Sequence, residues 1–185
     1  MFFADKLDMK RIAFVFLIVL IPAFSFGQNK ISLSHFWSIP WGTTMEQAEA
    51  IFAERGFESV REGASLMTFA EYEGRYGLIL LIFNSDNRFY SGNVIYPADE
   101  TNVMQLYEDF RFVLARRYGF PDVAVEFFEV PFEKGDGREL EAIATENAFF
   151  YTEWRFQDNN IASISILRSL DVYLTFRSPA LADRR

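Results

Sequence analysis

The chain contains no cysteine, and this absence excludes several kinds of chemistry at once. Disulfide bonds, thiolate nucleophiles, cysteine-ligated zinc and the lipid attachment of a bacterial lipoprotein all require a thiol. Histidine occurs once, at His35, so a histidine-rich metal site is excluded and a catalytic triad would depend on this one residue. We interpret His35 as a surface residue. No calcium loop and no phosphate-binding glycine motif is recognisable, and we expect neither a metal nor a cofactor.

Basic residues are outnumbered by acidic ones, because the chain has 18 Lys and Arg but 26 Asp and Glu, which gives a net charge of −8. Nucleic acids and anionic lipid surfaces attract clustered Lys and Arg. The charge therefore argues against both as partners.

The only long apolar run lies near the N-terminus. Lys10 and Arg11 precede an apolar stretch at 12–24, and the small residues Ser25 and Gly27 follow it. A basic region, an apolar region and a small-x-small site, in this order, predict a secretory signal peptide. The run is short for a membrane span, which needs about 20 residues. An uncleaved membrane anchor is the alternative.

Cleavage after residue 27 would leave residues 28–185 as a periplasmic or secreted protein with no membrane span. The removed part carries three basic and two acidic residues, so the net charge would change from −8 to −9. Met9, followed by two basic residues, would itself begin a well-formed signal peptide, and we expect translation to start there.

The remaining chain has enough apolar residues for one large core. Half of the 185 residues are hydrophobic and 22 are phenylalanine. A chain of this length suits a single domain. We therefore predict one exported domain over residues 28–185, with two related halves at 36–97 and 98–179.

Two amphipathic helices are predicted. The first follows Thr44 and Gln47, which have the spacing of a capping box, and it ends at Gly56. The second lies between Asn102 and Pro121, and its apolar stripe consists of Val103, Leu106, Tyr107, Phe110, Val113 and Leu114. Phe112 projects from the opposite side, and we expect another part of the chain to cover it.

The rest of the chain has the pattern of antiparallel strands. Leu78–Phe83 is a continuous apolar run typical of a buried strand, and a turn at 84–87 leads to a return strand, Phe89–Tyr96. Further strands are predicted at 123–130, 148–156, 161–167 and 171–176. These elements indicate an α+β fold in which two helices pack on one face of an antiparallel sheet.

Similar segments occur in both halves and favour an internal duplication. Ile51–Phe57 is similar to Val113–Phe120, and the turn Phe83–Asn87 is similar to Phe156–Asn160. Convergent cap and turn chemistry is the alternative. The second half is longer, and its extra residues fall within Glu126–Glu146.

The helix opening PWGTTMEQAEAIFAERGF at Pro40–Phe57 resembles that of small exported bacterial proteins. These are the outer-membrane assembly lipoproteins of the SmpA/OmlA type and the tandem modules of the β-lactamase inhibitor protein. The chain departs from the first in lacking a lipid-attachment cysteine and from the second in lacking disulfides. The resemblance implies an extracytoplasmic protein-binding module and assigns no individual binding residue.

The candidate partner-binding residues lie in the longer part of the second half. They are Phe127, Phe128, Phe132, Glu133, Asp136 and Glu139. Apolar anchors rimmed by charge are typical of protein interfaces, and functional contacts concentrate on loops. We hypothesise that the loop Glu133–Glu139 projects from the sheet and contacts an exported protein. In the competing interpretation the phenylalanines face the core and the acids only solvate the outer face.

Two further functions remain open alongside a non-catalytic binding module. A carboxylate-dependent envelope hydrolase such as a glycosidase needs two suitably separated carboxyl groups. The candidates for such a pair are Glu126, Glu129, Glu133, Glu139, Glu141, Glu146 and Glu153. A small outer-membrane barrel is suggested by export and by aromatic strands, although the two capped helices would interrupt its strand series. The oligomeric state is not indicated.

Overall fold

A computed structural model describes residues 32–183, so the predicted signal peptide lies outside the described residues. The elements, in chain order, are β1 His35–Phe36, β2 Ile39–Pro40, α1 Met45–Glu54, β3 Val60–Glu62, β4 Ser65–Tyr72, β5 Arg75–Phe83, β6 Phe89–Tyr96, α2 Val103–Tyr118, β7 Val123–Phe128, α3 Glu139–Ala144, β8 Ala148–Arg155, β9 Ile161–Ile166, β10 Val172–Arg177 and a 3₁₀ turn at Pro179–Leu181. Among these residues, no helix has the length and apolar character that a membrane crossing requires.

Strands β3 to β10 form one antiparallel sheet of eight strands in the order β3-β4-β5-β6-β10-β9-β8-β7. Each half of the chain contributes a long helix followed by a four-stranded meander. The last strands of the two meanders pair at the centre, where Val94 lies opposite Leu174. This topology confirms the predicted α+β fold with an antiparallel sheet. The two edge strands of the sheet are β3 and β7.

The two long helices share one core with a single face of the sheet. The predicted stripe of α2 is buried except for Val113, which is half-buried. Phe110 stacks on Tyr96 of β6 with ring centroids 4.2 Å apart. Helix α1 buries Met45, Ala48 and Phe52 in the same cluster.

The predicted capping box of α1 is present. The Thr44 side chain accepts a hydrogen bond from the Gln47 backbone N–H, and the Gln47 side chain accepts one from the Thr44 N–H. Gly56 follows the helix with a φ of 78°, which glycine adopts without the steric cost of a Cβ. Local sequence therefore provides a cap at both ends of this helix, and Asn87 adds a tertiary one by accepting a hydrogen bond from the Met45 N–H at 3.2 Å.

A short lead-in hairpin, β1–β2, closes one end of the core. Phe36 inserts its ring against β6, where a Cβ on Gly92 would lie 2.1 Å from the Phe36 ring. Glycine inside a strand commonly marks such a close approach. The aromatic side chains around Phe36 are Tyr72, Phe89 and Phe176.

The expectation that Phe112 is covered is wrong for the part of the chain that the structure describes. Its side chain is 63% exposed, and its ring contact is with the guanidinium of Arg116, 5.8 Å from the ring centroid. Phe112 lies on the side of α2 that points away from the sheet, opposite Phe110. The lead-in hairpin packs on the sheet and on α1 instead.

The two similar turns are not at equivalent positions in the two halves. The turn at 84–87 joins the third and fourth strands of the first meander, whereas the turn at 157–160 joins the second and third strands of the second. Both place an asparagine in the left-handed region, Asn87 at φ 57° and Asn159 at φ 60°. Their likeness comes from shared turn chemistry, which asparagine favours wherever such a turn occurs. The extra length of the second half lies between β7 and β8 and contains α3, a helix that the sequence pattern did not predict.

Candidate functional site

The face of the sheet opposite the helices, which we call the helix-free face, has no second layer among residues 32–183. Side chains alternate between the two faces along each strand, and paired residues point to the same face. One row of paired residues on this face crosses seven strands and consists of Phe69, Leu78, Ile95, Tyr173, Ser165, Tyr151 and Val125. Most of its members are apolar or aromatic, which is unusual for a solvated sheet face.

Exposed apolar side chains concentrate on this face. The exposed large apolar residues of the described chain are Val60, Phe69, Tyr76, Phe112, Phe120, Val125, Phe127, Val130 and Phe149. Six of these nine belong to the helix-free face by strand register; the exceptions are Phe112, Phe120 and Val130. Contiguous exposed apolar surface on a soluble domain marks an interaction site far more often than scattered apolar residues do.

The first apolar patch lies at the β3–β5 end of the face. Phe69 is 61% exposed, and Leu78 lies opposite it on β5. Met67 lies between Val60 on β3 and Leu80 on β5. The patch therefore presents one aromatic ring on a bed of aliphatic side chains.

The second apolar patch lies at the other end, on β7 and β8. Phe127 pairs with Phe149, and the Phe149 ring stacks on Tyr151 with centroids 5.6 Å apart. Val125 lies opposite Tyr151. Large rigid aromatic side chains of this kind supply most of the binding energy in protein interfaces.

A polar strip lies between the two patches, beside the apolar row. Asn93, Thr175, Ser163 and Glu153 lie opposite one another on the four adjacent strands β6, β10, β9 and β8, and Ser91 lies two residues before Asn93 on β6. Asn93 is almost fully buried, yet its side chain accepts a hydrogen bond from the Tyr173 hydroxyl at 2.9 Å and donates one to the Leu80 carbonyl at 3.3 Å. The strip is polar but already satisfied.

Glu153 is the charged member of this strip and has 6% of its surface exposed. Burial opposes its ionisation, but the Tyr151 hydroxyl donates a hydrogen bond to it and Arg155 pairs with it at 2.6 Å. These interactions outweigh burial and hold the pKa of Glu153 below its ordinary value. The carboxylate therefore stays ionised at neutral pH and bound to Tyr151 and Arg155, so we assign Glu153 a structural role.

The structure separates the predicted partner-binding phenylalanines. Phe127 lies exposed on the helix-free face, within the second apolar patch. Phe128 points to the opposite face and packs edge-on against Phe150, 5.6 Å away. Phe132 is buried under the guanidinium of Arg138, 4.4 Å from its ring centroid. Of the three, Phe127 is the one whose ring is available to a partner.

The predicted acidic residues form a loop whose polar groups bond to each other. Asp136 accepts hydrogen bonds from the backbone N–H groups of Glu133 at 3.0 Å and Arg138 at 2.8 Å, and these lower its pKa. Glu139 accepts one from the Gly135 N–H at 2.8 Å. Residues 133–138 are exposed, as expected for a solvated loop, but the carboxylates of Asp136 and Glu139 stabilise the turn that precedes α3.

Four of the seven acids considered for a hydrolase pair with a cation. Glu126 pairs with Lys134, Glu141 with Arg138, Glu146 with Arg168 and Glu153 with Arg155. A glycosidase requires two carboxyl groups that face each other across a substrate cleft. These four carboxylates instead face their own cationic neighbours.

A cleft of about 780 Å³ opens on the helix-covered side, between the lead-in and the end of α2. Two charged residues of its lining, Arg117 and Glu73, pair with each other at 2.6 Å, and a third, Arg116, lies over the Phe112 ring. Burial raises the pKa of Tyr72 and of Tyr118, so both phenols remain neutral. Because the Arg117–Glu73 pair is internal and most of the remaining lining is apolar or aromatic, we regard the cleft as a gap left between the lead-in and α2.

Apart from Phe127, sequence reasoning missed the residues of the helix-free face, including Phe69 and Phe149. The signal was present in Leu78–Phe83, where alternate residues point to opposite faces. An apolar residue at every position of this strand means that both faces of the sheet are apolar, although the helices cover one.

Comparisons of the chain with protein-family models, with curated proteins and with solved structures give no match.

Proposed function

We propose that this chain is an exported, non-catalytic protein-binding module that engages its partner through the helix-free face of the sheet. The observation that carries the proposal is the concentration of six of the nine exposed large apolar side chains on that face. The two apolar patches supply anchors, and the satisfied polar strip between them carries no unpaired buried group that binding would have to compensate.

The chemistry of the face favours a protein as the partner. Exposed aromatic and aliphatic side chains of this kind are the anchors typical of protein interfaces. The net charge of −8 disfavours phosphate backbones and anionic lipid headgroups. The prediction of a signal peptide at residues 1–27 supports a partner in the periplasm or outside the cell.

Site-specific photo-cross-linking tests this proposal. Benzoylphenylalanine replaces Phe69 or Phe127 on the helix-free face, and Phe112 on α2 is the matched control. Phe69 and Phe112 are 61% and 63% exposed, so the two positions differ in location and hardly in accessibility. Irradiation of cells that produce the protein should give the same adduct from Phe69 and Phe127 and none from Phe112, as seen by mass spectrometry. Adducts from all three positions alike, or from Phe112 alone, would contradict the proposal.

A further inference from the structure

The outer edge of β7 has a row of backbone N–H and C=O groups that pair with no other strand in the described chain. The Glu129 N–H donates to the Asn147 carbonyl on the adjoining segment at 2.7 Å. In an antiparallel pair the residues that bond to the neighbour alternate with residues that bond outward. Ala124, Glu126 and Phe128 therefore direct their N–H and C=O groups away from β8, and none of residues 32–183 hydrogen bonds to them.

The two edges of the sheet are built differently. The β3 edge is three residues long, and its Arg61 is held in ion pairs with Glu49 and Glu46 of α1. Short, charged edge strands are a common way of preventing further strand addition. β7 has six residues, VAVEFF, with no Lys and no Pro among them, and its four central residues are exposed. Only the β7 edge is left able to accept another strand.

The charge of this edge selects among the strands that could occupy it. Residues 122–133 contain four acids, Asp122, Glu126, Glu129 and Glu133, and no Lys or Arg. Lys134, which pairs with Glu126, is the first basic residue after them. A second copy of the chain would bring like charges together, whereas a strand carrying basic side chains would be attracted.

We propose that the partner docks by adding an antiparallel strand to β7, with an extended segment in which apolar residues alternate with Lys or Arg. This inference rests on the proposed function and names the chemistry of the partner. The residue opposite Glu126 points to the same side as the Glu126 carboxylate and is basic. Its neighbours lie opposite Val125 and Phe127, point to the helix-free face and extend the second apolar patch.

Synthetic peptides test the strand addition with purified protein. The probe is acetyl-Val-Lys-Val-Lys-Val-Lys-Val-amide, and its charge control has Glu in place of Lys. Two further probes carry N-methyl groups, one on the lysines and one on the valines. If a lysine of the probe lies opposite Glu126, its backbone N–H and C=O point toward β7. N-methylation of the lysines therefore removes backbone hydrogen bonds between the probe and β7, whereas N-methylation of the valines leaves them intact. The two methylated probes have equal charge, so non-specific attraction to an acidic protein affects both equally.

Calorimetric titration should show that the lysine probe binds and the glutamate probe does not. Methylated lysines should weaken binding by at least about tenfold, and methylated valines by no more than about twofold. Equal binding of the two methylated probes, or no binding of the lysine probe, would overturn the proposal.

Three protein variants, one of them a control, localise the binding. Ala124→Pro removes an outward N–H from an edge strand, a position where proline is tolerated, and should abolish binding with little change in melting temperature. Glu126→Lys should reverse the preference in favour of the glutamate probe. Glu62→Lys on β3 makes the same charge change at the other edge and should leave the preference unchanged. If Ala124→Pro does not fold, the charge reversal decides alone; an unchanged preference in Glu126→Lys contradicts the proposal.

Sedimentation and cross-linking separate the remaining outcomes. A dimer that Ala124→Pro dissociates would assign the β7 edge to a second copy and overturn the proposal. If adducts from Phe69 persist in Ala124→Pro, the proposed function stands and strand addition fails. If the probes bind as expected while the helix-free face gives no adduct, the edge site stands and the proposed function fails.

Discussion

At the scale of single residues, Phe110 and Phe112 show how one helix turn separates core from surface. They are two positions apart on α2, so their side chains leave the helix in nearly opposite directions. Phe110 stacks on Tyr96 and is 2% exposed, whereas Phe112 is 63% exposed. The same substitution at the two sites therefore has different physical consequences.

Phe110→Ala should lower the free energy of unfolding by about 3–5 kcal/mol, because it leaves a cavity under α2. Phe112→Ala is the matched control and should change it by no more than about 0.5 kcal/mol, since the ring is largely solvated. Urea denaturation followed by tryptophan fluorescence measures both. Equal denaturation midpoints would contradict the burial of the Phe110 ring.

At the scale of elements, the connection between β7 and β8 is the principal difference between the two halves. The corresponding connection between β3 and β4 is the tight turn at residues 63–64, whereas residues 129–147 contain a bonded loop and α3. Ala142 and Ile143 of α3 are buried, so this connection adds to the helix-covered side. Within residues 32–183, the helix-free face is therefore built from strands alone.

Replacing residues 133–138 by a short Gly/Ser turn tests whether this loop contacts the partner. The variant should fold, because these residues are exposed, although it loses the turn stabilised by Asp136 and the contact between Arg138 and Phe132. We expect the melting temperature to fall by only a few degrees and the photo-adduct from Phe127 to persist. Loss of the adduct in a folded variant would assign the loop to the interface.

At the scale of the whole molecule, one sheet divides two unlike surfaces. The helices and the lead-in cover one face with a continuous core, and the other face remains apolar and open among residues 32–183. An exposed apolar face of this kind marks an interaction site, and the net charge of −8 disfavours association with other acidic surfaces. The location of the mature protein is part of the proposed function.

Export is tested on the native protein. Cleavage after residue 27 should yield a periplasmic or secreted form that begins at Gln28, as measured by intact mass and N-terminal sequencing after cell fractionation. Substituting both Ser25 and Gly27 by bulky residues should leave the precursor uncleaved, because the processing site requires small side chains. An exported protein with an intact N-terminus would contradict cleavage, and a mature chain found only in the cytoplasm would contradict export.

The sequence by itself determined what depends on neighbouring residues. The capping box at Thr44, the apolar stripe of α2 and the hairpin strand Phe89–Tyr96 follow from spacing along a few turns or a few strand positions. The α+β class follows from their order. Of the candidate anchors predicted in the second half, Phe127 lies on the helix-free face, which the sequence did not predict.

Only the tertiary structure decided which strands are neighbours and which face each residue takes. Phe69 and Val125 belong to one row because the five strands between β4 and β7 pair with a particular register, and residues far apart in the chain set that register. The pairing of β6 with β10 at the centre makes β7 an edge. Such long-range pairing is determined by the burial of the whole core, and no short stretch of sequence encodes it.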